Sequence, residues 1–253
     1  MKPNTTSYEK QGASTVVTAL KIFGYSVLAG IMCLFLYFSM TMISDGLFQE
    51  PKAYVVQEIV DGEIQEPVTL TPEEYAADKA ANPDKYNVTD NSRIMATVTM
   101  GPKNDLCAAL LIGAQILTQA LMLCVLTVMT GYYVWQEGDR DRNLQDYHDR
   151  KPTPVRGVWI GLIAGAPALA MFAVLLLSKF GIVPDSILGI YRLLNAPFMP
   201  LVNIMVPVET ASAAALSAGQ LLGFFAMQWY VPVTCAVAYV IGCNRLLKPK
   251  GKK

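Results

Sequence analysis

The sequence predicts an α-helical integral membrane protein: four transmembrane helices, a small α+β extracytoplasmic insert between helices 1 and 2, and an interfacial helix between helices 3 and 4. The first observation is composition, since 53% of the residues are hydrophobic and only 16% are charged, whereas soluble domains are about 25% charged. The second is that the apolar residues form four runs, each longer than the roughly 18 residues that mark a membrane-spanning helix. The third is the asymmetric placement of Lys and Arg around those runs.

These runs divide the chain into membrane and aqueous segments. We predict transmembrane helices at 22–45, 107–135, 157–179 and 218–244. Around them we expect a cytoplasmic N-terminal tail at 1–21, an extracytoplasmic insert at 46–106, a cytoplasmic loop at 136–156, an extracytoplasmic or interfacial segment at 180–217, and a basic cytoplasmic tail at 245–253.

Orientation follows from the basic residues, because Lys and Arg in short flanking segments stay on the cytoplasmic side. Five basic residues lie from Arg140 to Arg156, whereas segment 46–106 holds eleven acidic and five basic residues. Further basic residues precede the first run or end the chain: Lys2, Lys10, Lys21, Arg245, Lys248, Lys250, Lys252 and Lys253. Both termini are therefore expected in the cytoplasm of a multi-pass cell-membrane protein.

Local signals in the insert first predict a β-hairpin. Asp61-Gly62 lies between two strand-like runs and suits a two-residue type I′ turn, which would place Ile59 opposite Ile64. Pro67 cannot donate a ladder hydrogen bond, so the second strand is expected at a sheet edge.

A helix and a third strand follow this hairpin. Thr71, Pro72 and Glu74 match a capping box with proline in the first helical position, and Asn82-Pro83 should end the helix. Residues 94–100 then alternate as a strand does. The insert should therefore run strand, strand, helix, strand.

The segment between the third and fourth runs has two interpretations. A short helix capped by Asp185 or Ser186 is followed by apolar sequence that contains Pro197, Pro200 and Pro207. The stretch 183–207 either lies flat in the membrane interface or enters the membrane as a re-entrant hairpin. The interface is favoured, because the prolines would leave backbone groups unpaired in lipid.

A glycine stripe marks the third run. Gly157, Gly161 and Gly165 recur every four residues, just before Pro167, and therefore share one helix face. Glycines at this spacing let two helix backbones approach closely in a membrane, so the stripe predicts a helix-packing groove. The helix that fills the groove belongs to this chain, to a second copy or to another protein.

Two glutamines lie on one face of the second run. Gln115 and Gln119 are four residues apart, and each either hydrogen-bonds a neighbouring helix or lines a narrow polar path. Hydrogen bonding to a helix is the favoured interpretation.

The sequence contains no pattern typical of a catalytic, metal or cofactor site. The acidic residues and the single His of the 136–156 segment invite a metal hypothesis, but Leu144 occupies the glycine position of a calcium loop and Arg150 occupies its glutamate position. The five cysteines lack CxxC spacing, which argues against a zinc site. We therefore expect no cofactor, metal ion or nucleic-acid partner.

Two functions remain open. The leading hypothesis is a non-enzymatic accessory or scaffold subunit of a membrane complex, which presents its insert to a partner. The alternative is a transport or channel component assembled through the glycine groove, with Gln115 and Gln119 facing the pathway. Expected partners are the lipid bilayer and either another membrane protein or further copies of this chain.

Overall fold

The computed structural model describes residues 5–60, 63–86, 92–148, 155–207 and 212–244. Their contacts divide the chain into two compact units. The helical unit comprises Met1–Phe38 and Ile116–Lys253, and the sheet unit comprises Ser39–Gln115. Within the described residues, four helices are long and apolar enough to cross a membrane, which suggests a multi-pass membrane protein.

The long helices extend beyond the apolar runs. Helix α1 covers Thr5–Phe48, α3 covers Asp105–His148 and α4 covers Val155–Lys179. Residues 136–148 of the predicted 136–156 loop continue α3 as helix, 149–154 lie outside the described residues, and 155–156 begin α4. Charged side chains end an apolar run without ending the helix that carries it.

The fourth apolar helix is interrupted. It consists of α7 (Ala218–Gln228) and α8 (Tyr230–Asn244), which meet at Trp229. Pro232 has no N–H to bond the carbonyl four residues earlier, so the helix breaks just before it. Ser217 and Gln220 begin α7 with a reciprocal capping box.

The sheet unit contains a small antiparallel sheet and one short helix. Strand β1 (Gln49–Val60) lies in the centre, with β4 (Ser92–Pro102) on one side and the short strands β2 (Glu63–Ile64) and β3 (Val68–Leu70) in succession on the other. The described sheet thus contains four strands but is three strands wide. Ile59 pairs with Ile64 as predicted, and the turn residues 61–62 lie outside the described part.

The predicted helix of the insert is confirmed. Helix α2 covers Pro72–Ala81, Thr71 is its N-cap, and Glu74 completes the capping box by accepting from the Thr71 backbone N–H at 2.8 Å. Tyr75 of α2 stacks on Tyr54 of β1 with ring centroids 4.1 Å apart. One face of the sheet is covered at that point.

The segment between α4 and α7 forms two helices, where one was predicted. Helix α5 covers Ile187–Leu194, a 3-10 turn covers Ala196–Phe198, and α6 covers Met199–Met205. The two halves bend by 87°. Ser186 is the N-cap of α5, but its side chain makes no capping hydrogen bond.

The core of the helical unit includes this bent segment. Buried side chains of α5 and α6 pack with those of α4 and α7, and the larger of them are Phe172, Leu175, Leu188, Tyr191, Val202 and Phe224. A second buried cluster joins α1, α3, α4 and α8 around Ile22, Val134, Ile160 and Tyr239.

Candidate functional site

The glycine stripe of α4 lies against α8 of the same chain. A Cβ added at Gly157 would be 2.5 Å from Tyr239 Cβ, and one at Gly161 would be 2.7 Å from Pro232 Cα. A Cβ at Gly165 would be 3.2 Å from Pro232 Cγ. Only a residue without a side chain fits at the first two positions unless one helix moves.

A second close approach joins α8 to α3. A Cβ at Gly138 would be 2.4 Å from the Tyr239 carbonyl oxygen, and one at Gly242 would be 2.2 Å from the Trp135 carbonyl oxygen. The sequence does not predict this pair, because neither glycine belongs to a four-residue repeat like that of the stripe. The close approach depends on two glycines more than 100 residues apart in the sequence, Gly138 and Gly242, and no local pattern connects them.

Gln119 joins α3 to the bend between α5 and α6. Its side-chain nitrogen donates to the Pro197 carbonyl at 2.9 Å, and its side-chain oxygen accepts from the Leu201 N–H at 3.1 Å. Both backbone groups lie where the helical hydrogen-bond ladder is interrupted. Gln115, one turn earlier on α3, is exposed.

Arg192 bonds the end of α6. It is 8% exposed, and its guanidinium donates to the carbonyls of Val206 at 3.2 Å and Pro207 at 2.8 Å. These carbonyls follow the last turn of α6, where intrahelical donors are missing.

Three buried polar side chains meet within the helical unit. Gln228 Nε2 donates to Tyr191 Oη at 2.7 Å and to Asn195 Oδ1 at 3.2 Å, and Asn195 Nδ2 donates to the Tyr191 carbonyl at 3.0 Å. Beside this trio is a cavity of about 580 Å³, lined by α1, α4 and the α5–α6 bend. Ser26, Asn195 and Gln228 are its polar lining residues, and the rest of its wall is apolar.

A buried charge cluster ties four helices together at one end of the helical unit. Arg156 is 6% exposed; it pairs with Asp141, which also accepts a hydrogen bond from Tyr239. The guanidinium donates further to Thr15 Oγ1 at 3.2 Å and Ser14 Oγ at 3.0 Å. Because every partner is a hydrogen-bonding or oppositely charged group, the cluster compensates the cost of burying the arginine.

One carboxylate of the 136–156 segment has a structural role. Asp141 belongs to the charge cluster, and the side chains of Asp146, His148 and Asp149 lie outside the described set. Among the described residues, no three Asp, Glu, His or Cys side chains are grouped so that they could hold a metal ion.

The two edges of the sheet differ. The β2/β3 edge consists of two- and three-residue strands separated by 65–67, which include Glu66 and Pro67. Strand β4 is eleven residues long, and within the described residues no strand pairs with its outer edge. Residues 96–100 are all exposed, and Val98 (41%) and Met100 (45%) expose apolar surface there.

Comparison of this chain with known protein families, curated proteins and solved structures finds no match to any of them.

Proposed function

We propose that this chain is a non-enzymatic accessory or scaffold subunit of a membrane complex, and that its sheet unit binds a partner protein outside the cytoplasm. In this proposal the four long apolar helices cross the cell membrane and both termini are cytoplasmic. Orientation rests on the distribution of basic residues described above.

The observation that carries the proposal is the open edge of β4. An unpaired edge strand presents a row of backbone N–H and C=O groups that a second strand can use. Such edges bind partners by strand addition, in which the main chain supplies the hydrogen bonds. The exposed Val98 and Met100 add apolar surface that a partner would cover.

The position of α8 supports this function over assembly through the glycine groove. Pro232, Cys235 and Tyr239 are the nearest neighbours of the three stripe glycines. A second copy therefore has no access to that groove while α8 stays in place. Gln119 uses its oxygen and its nitrogen in backbone hydrogen bonds, which favours a packing role over a polar path.

We further propose that residues 187–205 form a re-entrant hairpin, in place of the interfacial helix that the prolines suggested. An interfacial position would avoid placing unpaired backbone groups in lipid. Gln119 supplies partners to two backbone groups at the bend, the Pro197 carbonyl and the Leu201 N–H, and Arg192 bonds two carbonyls that follow α6. Irregular backbone at membrane depth is tolerated where protein satisfies it.

One observation supports the alternative, a transport component: the cavity beside the Tyr191–Asn195–Gln228 trio. We rank it second because those polar groups hydrogen-bond to one another and the wall around them is apolar. Such a wall suits a hydrocarbon chain better than a polar solute.

The mass of the intact particle tests the scaffold function. The chain, extracted in mild detergent, should form a particle heavier than one 27.6 kDa chain. Thr97→Lys, which puts a charge on the β4 edge, should remove the extra mass, because a desolvated unpaired charge opposes strand addition. Thr69→Lys on exposed β3 is the matched control and should leave the particle intact. A particle of a single unmodified chain would refute the function.

A further inference from the structure

We infer that the β4 edge pairs with β4 of a second copy of this chain, in antiparallel register centred on Thr97. This inference rests on the proposed function, since it names the partner of the sheet unit.

The two edges of the sheet differ in how they are protected from pairing. Proteins protect edges from unwanted pairing with short strands, charges and proline. The β2/β3 edge has all three, because its strands hold two and three residues and it contains Glu63, Glu66 and Pro67. Between Ile94 and Pro102, β4 has no charged residue, and its single proline is the last residue of the strand. One edge is closed to strand addition and the other is left open to it.

Strand β4 also complements itself electrostatically. When Ser92–Pro102 pairs with its own copy along its full length, Thr97 stands opposite Thr97 and Ala96 opposite Val98. Arg93, the one charged residue of the strand, stands opposite Gly101, so no like charges face each other. A two-fold pair of this kind is closed, because each copy gives its one open edge to the other.

Strand β4 also exposes apolar surface. Val98 and Met100 lie on the same side of β4, two residues apart, and both are more than 40% exposed. Tyr75 stacks on Tyr54 of β1, the residue paired with Val98, so α2 covers the neighbouring strand at that point while Val98 stays exposed. In the self-pair, the same side of the second β4 lies beside these residues.

Cysteine cross-linking in membranes tests the register. In the self-pair the two Thr97 Cα atoms are about 4.5–5.5 Å apart, which is within the span of a disulfide, about 4.4–6.8 Å. The two Thr99 residues would be separated by four residues along the strand, or about 14 Å. Both threonines are exposed on the same strand and on the same face, so Thr99→Cys is a matched control for Thr97→Cys.

In a background whose five native cysteines are replaced by alanine, oxidised Thr97→Cys should migrate at twice the 27.6 kDa chain mass. Thr99→Cys should remain at the mass of one chain. Equal cross-linking at both positions would indicate parallel or collisional contact and would overturn the inference. A particle dimeric in mass that forms no Thr97 cross-link would overturn it as well.

Particle composition separates this inference from the proposed function. If the particle holds this chain with a different protein and Thr97→Cys does not link to itself, the second copy is the wrong partner and the scaffold function stands. If the particle is one chain, both are refuted.

Discussion

Replacing Gly161 by Ala should separate α4 from α8. The added methyl carbon would be 2.7 Å from Pro232 Cα, 2.8 Å from the Pro232 carbonyl oxygen and 3.0 Å from Cys235 Cβ. Non-bonded carbon atoms normally stay about 3.5–4.0 Å apart. The two nearest atoms belong to the backbone of α8, so no side-chain rotation relieves the contact, and one helix must shift by roughly 1 Å.

Comparison with a matched glycine isolates the loss of stability that the close contact at Gly161 causes. Gly24 of α1 has no atom within 4 Å of an added Cβ. Both changes gain the same helix propensity, about 1 kcal/mol for Gly to Ala, so that term cancels between them. What remains is the overpacking cost at Gly161, about 1–3 kcal/mol.

Thermal unfolding in detergent measures this difference. For a chain of this size, 1 kcal/mol shifts Tm by about 2–4 °C, so Gly161→Ala should unfold roughly 2–12 °C below Gly24→Ala. The particle mass should be unchanged, because α8 belongs to the same chain. Gly161→Leu should widen the gap, whereas Ala170→Leu, at an exposed position of α4, should not.

Two results would refute this reasoning. Equal Tm values for Gly161→Ala and Gly24→Ala would mean that α8 does not contact the stripe. A loss of particle mass with unchanged Tm would mean that another chain fills the groove, and the transport alternative would regain its assembly surface.

Four further predictions follow, three of them from single contacts and one from the proposed orientation. Gln119→Leu should lower Tm, because each backbone group of the α5–α6 bend that loses its partner costs about 1–3 kcal/mol, whereas Gln115→Leu, at an exposed position, should leave Tm unchanged. Thr71→Ala should cost about 1 kcal/mol of local stability at the start of α2, seen as faster limited proteolysis there. The Thr71 backbone N–H and hydroxyl lower the pKa of Glu74. Ionised Glu74 therefore stabilises α2 at pH values above its ordinary pKa, and this stabilisation is lost as the pH falls through the lowered pKa. Hydrogen-exchange protection of α2 should depend on pH in the same way, and Glu74→Gln should flatten that pH dependence. With the native cysteines removed, Ala77→Cys should react with an impermeant thiol reagent added outside intact cells and Arg140→Cys should not; the reverse pattern would overturn the proposed orientation.

The parts of the fold that sequence predicted are those specified by neighbouring residues. The hairpin register follows from a two-residue turn, and the start of α2 follows from Thr71 and Glu74, three positions apart. Strand β4 follows from its own alternation. In each case the residues that determine the element lie within a few positions of it, so they can be recognised without the rest of the chain.

Helix ends were harder to predict. An apolar run indicates which residues contact lipid or the protein core, but it does not indicate where the helix ends. Helix α3 continues thirteen residues past the predicted boundary at 135, to His148. The charged residues there predict a loop. Charged residues are ordinary on an exposed helix face, so a change in polarity does not indicate a change in backbone conformation.

Local sequence patterns do not predict the charge cluster around Arg156. Arg156 joins Asp141, fifteen residues earlier, to Thr15, 141 residues earlier, and Tyr239 reaches the same carboxylate from 98 residues away. No spacing rule connects these positions. Arg156 instead contributed to the basic-residue count that set the predicted orientation.

Gln119 and Arg192 show what polar residues do in this apolar unit. The sequence predicts that Gln119 either hydrogen-bonds a neighbouring helix or lines a polar path, and it predicts no such role for Arg192. In the structure each bonds backbone groups that an interrupted helix leaves without partners, and Gln220 does the same for the Met205 carbonyl at 2.6 Å. An unpaired backbone group in a dry environment costs several kcal/mol, so a side chain that pairs one or two of them offsets the expense of its own burial. Polar residues of this unit that bond an irregular backbone are therefore weak evidence for transport, and the proposed function rests instead on the open edge of β4, with which no strand pairs among the described residues.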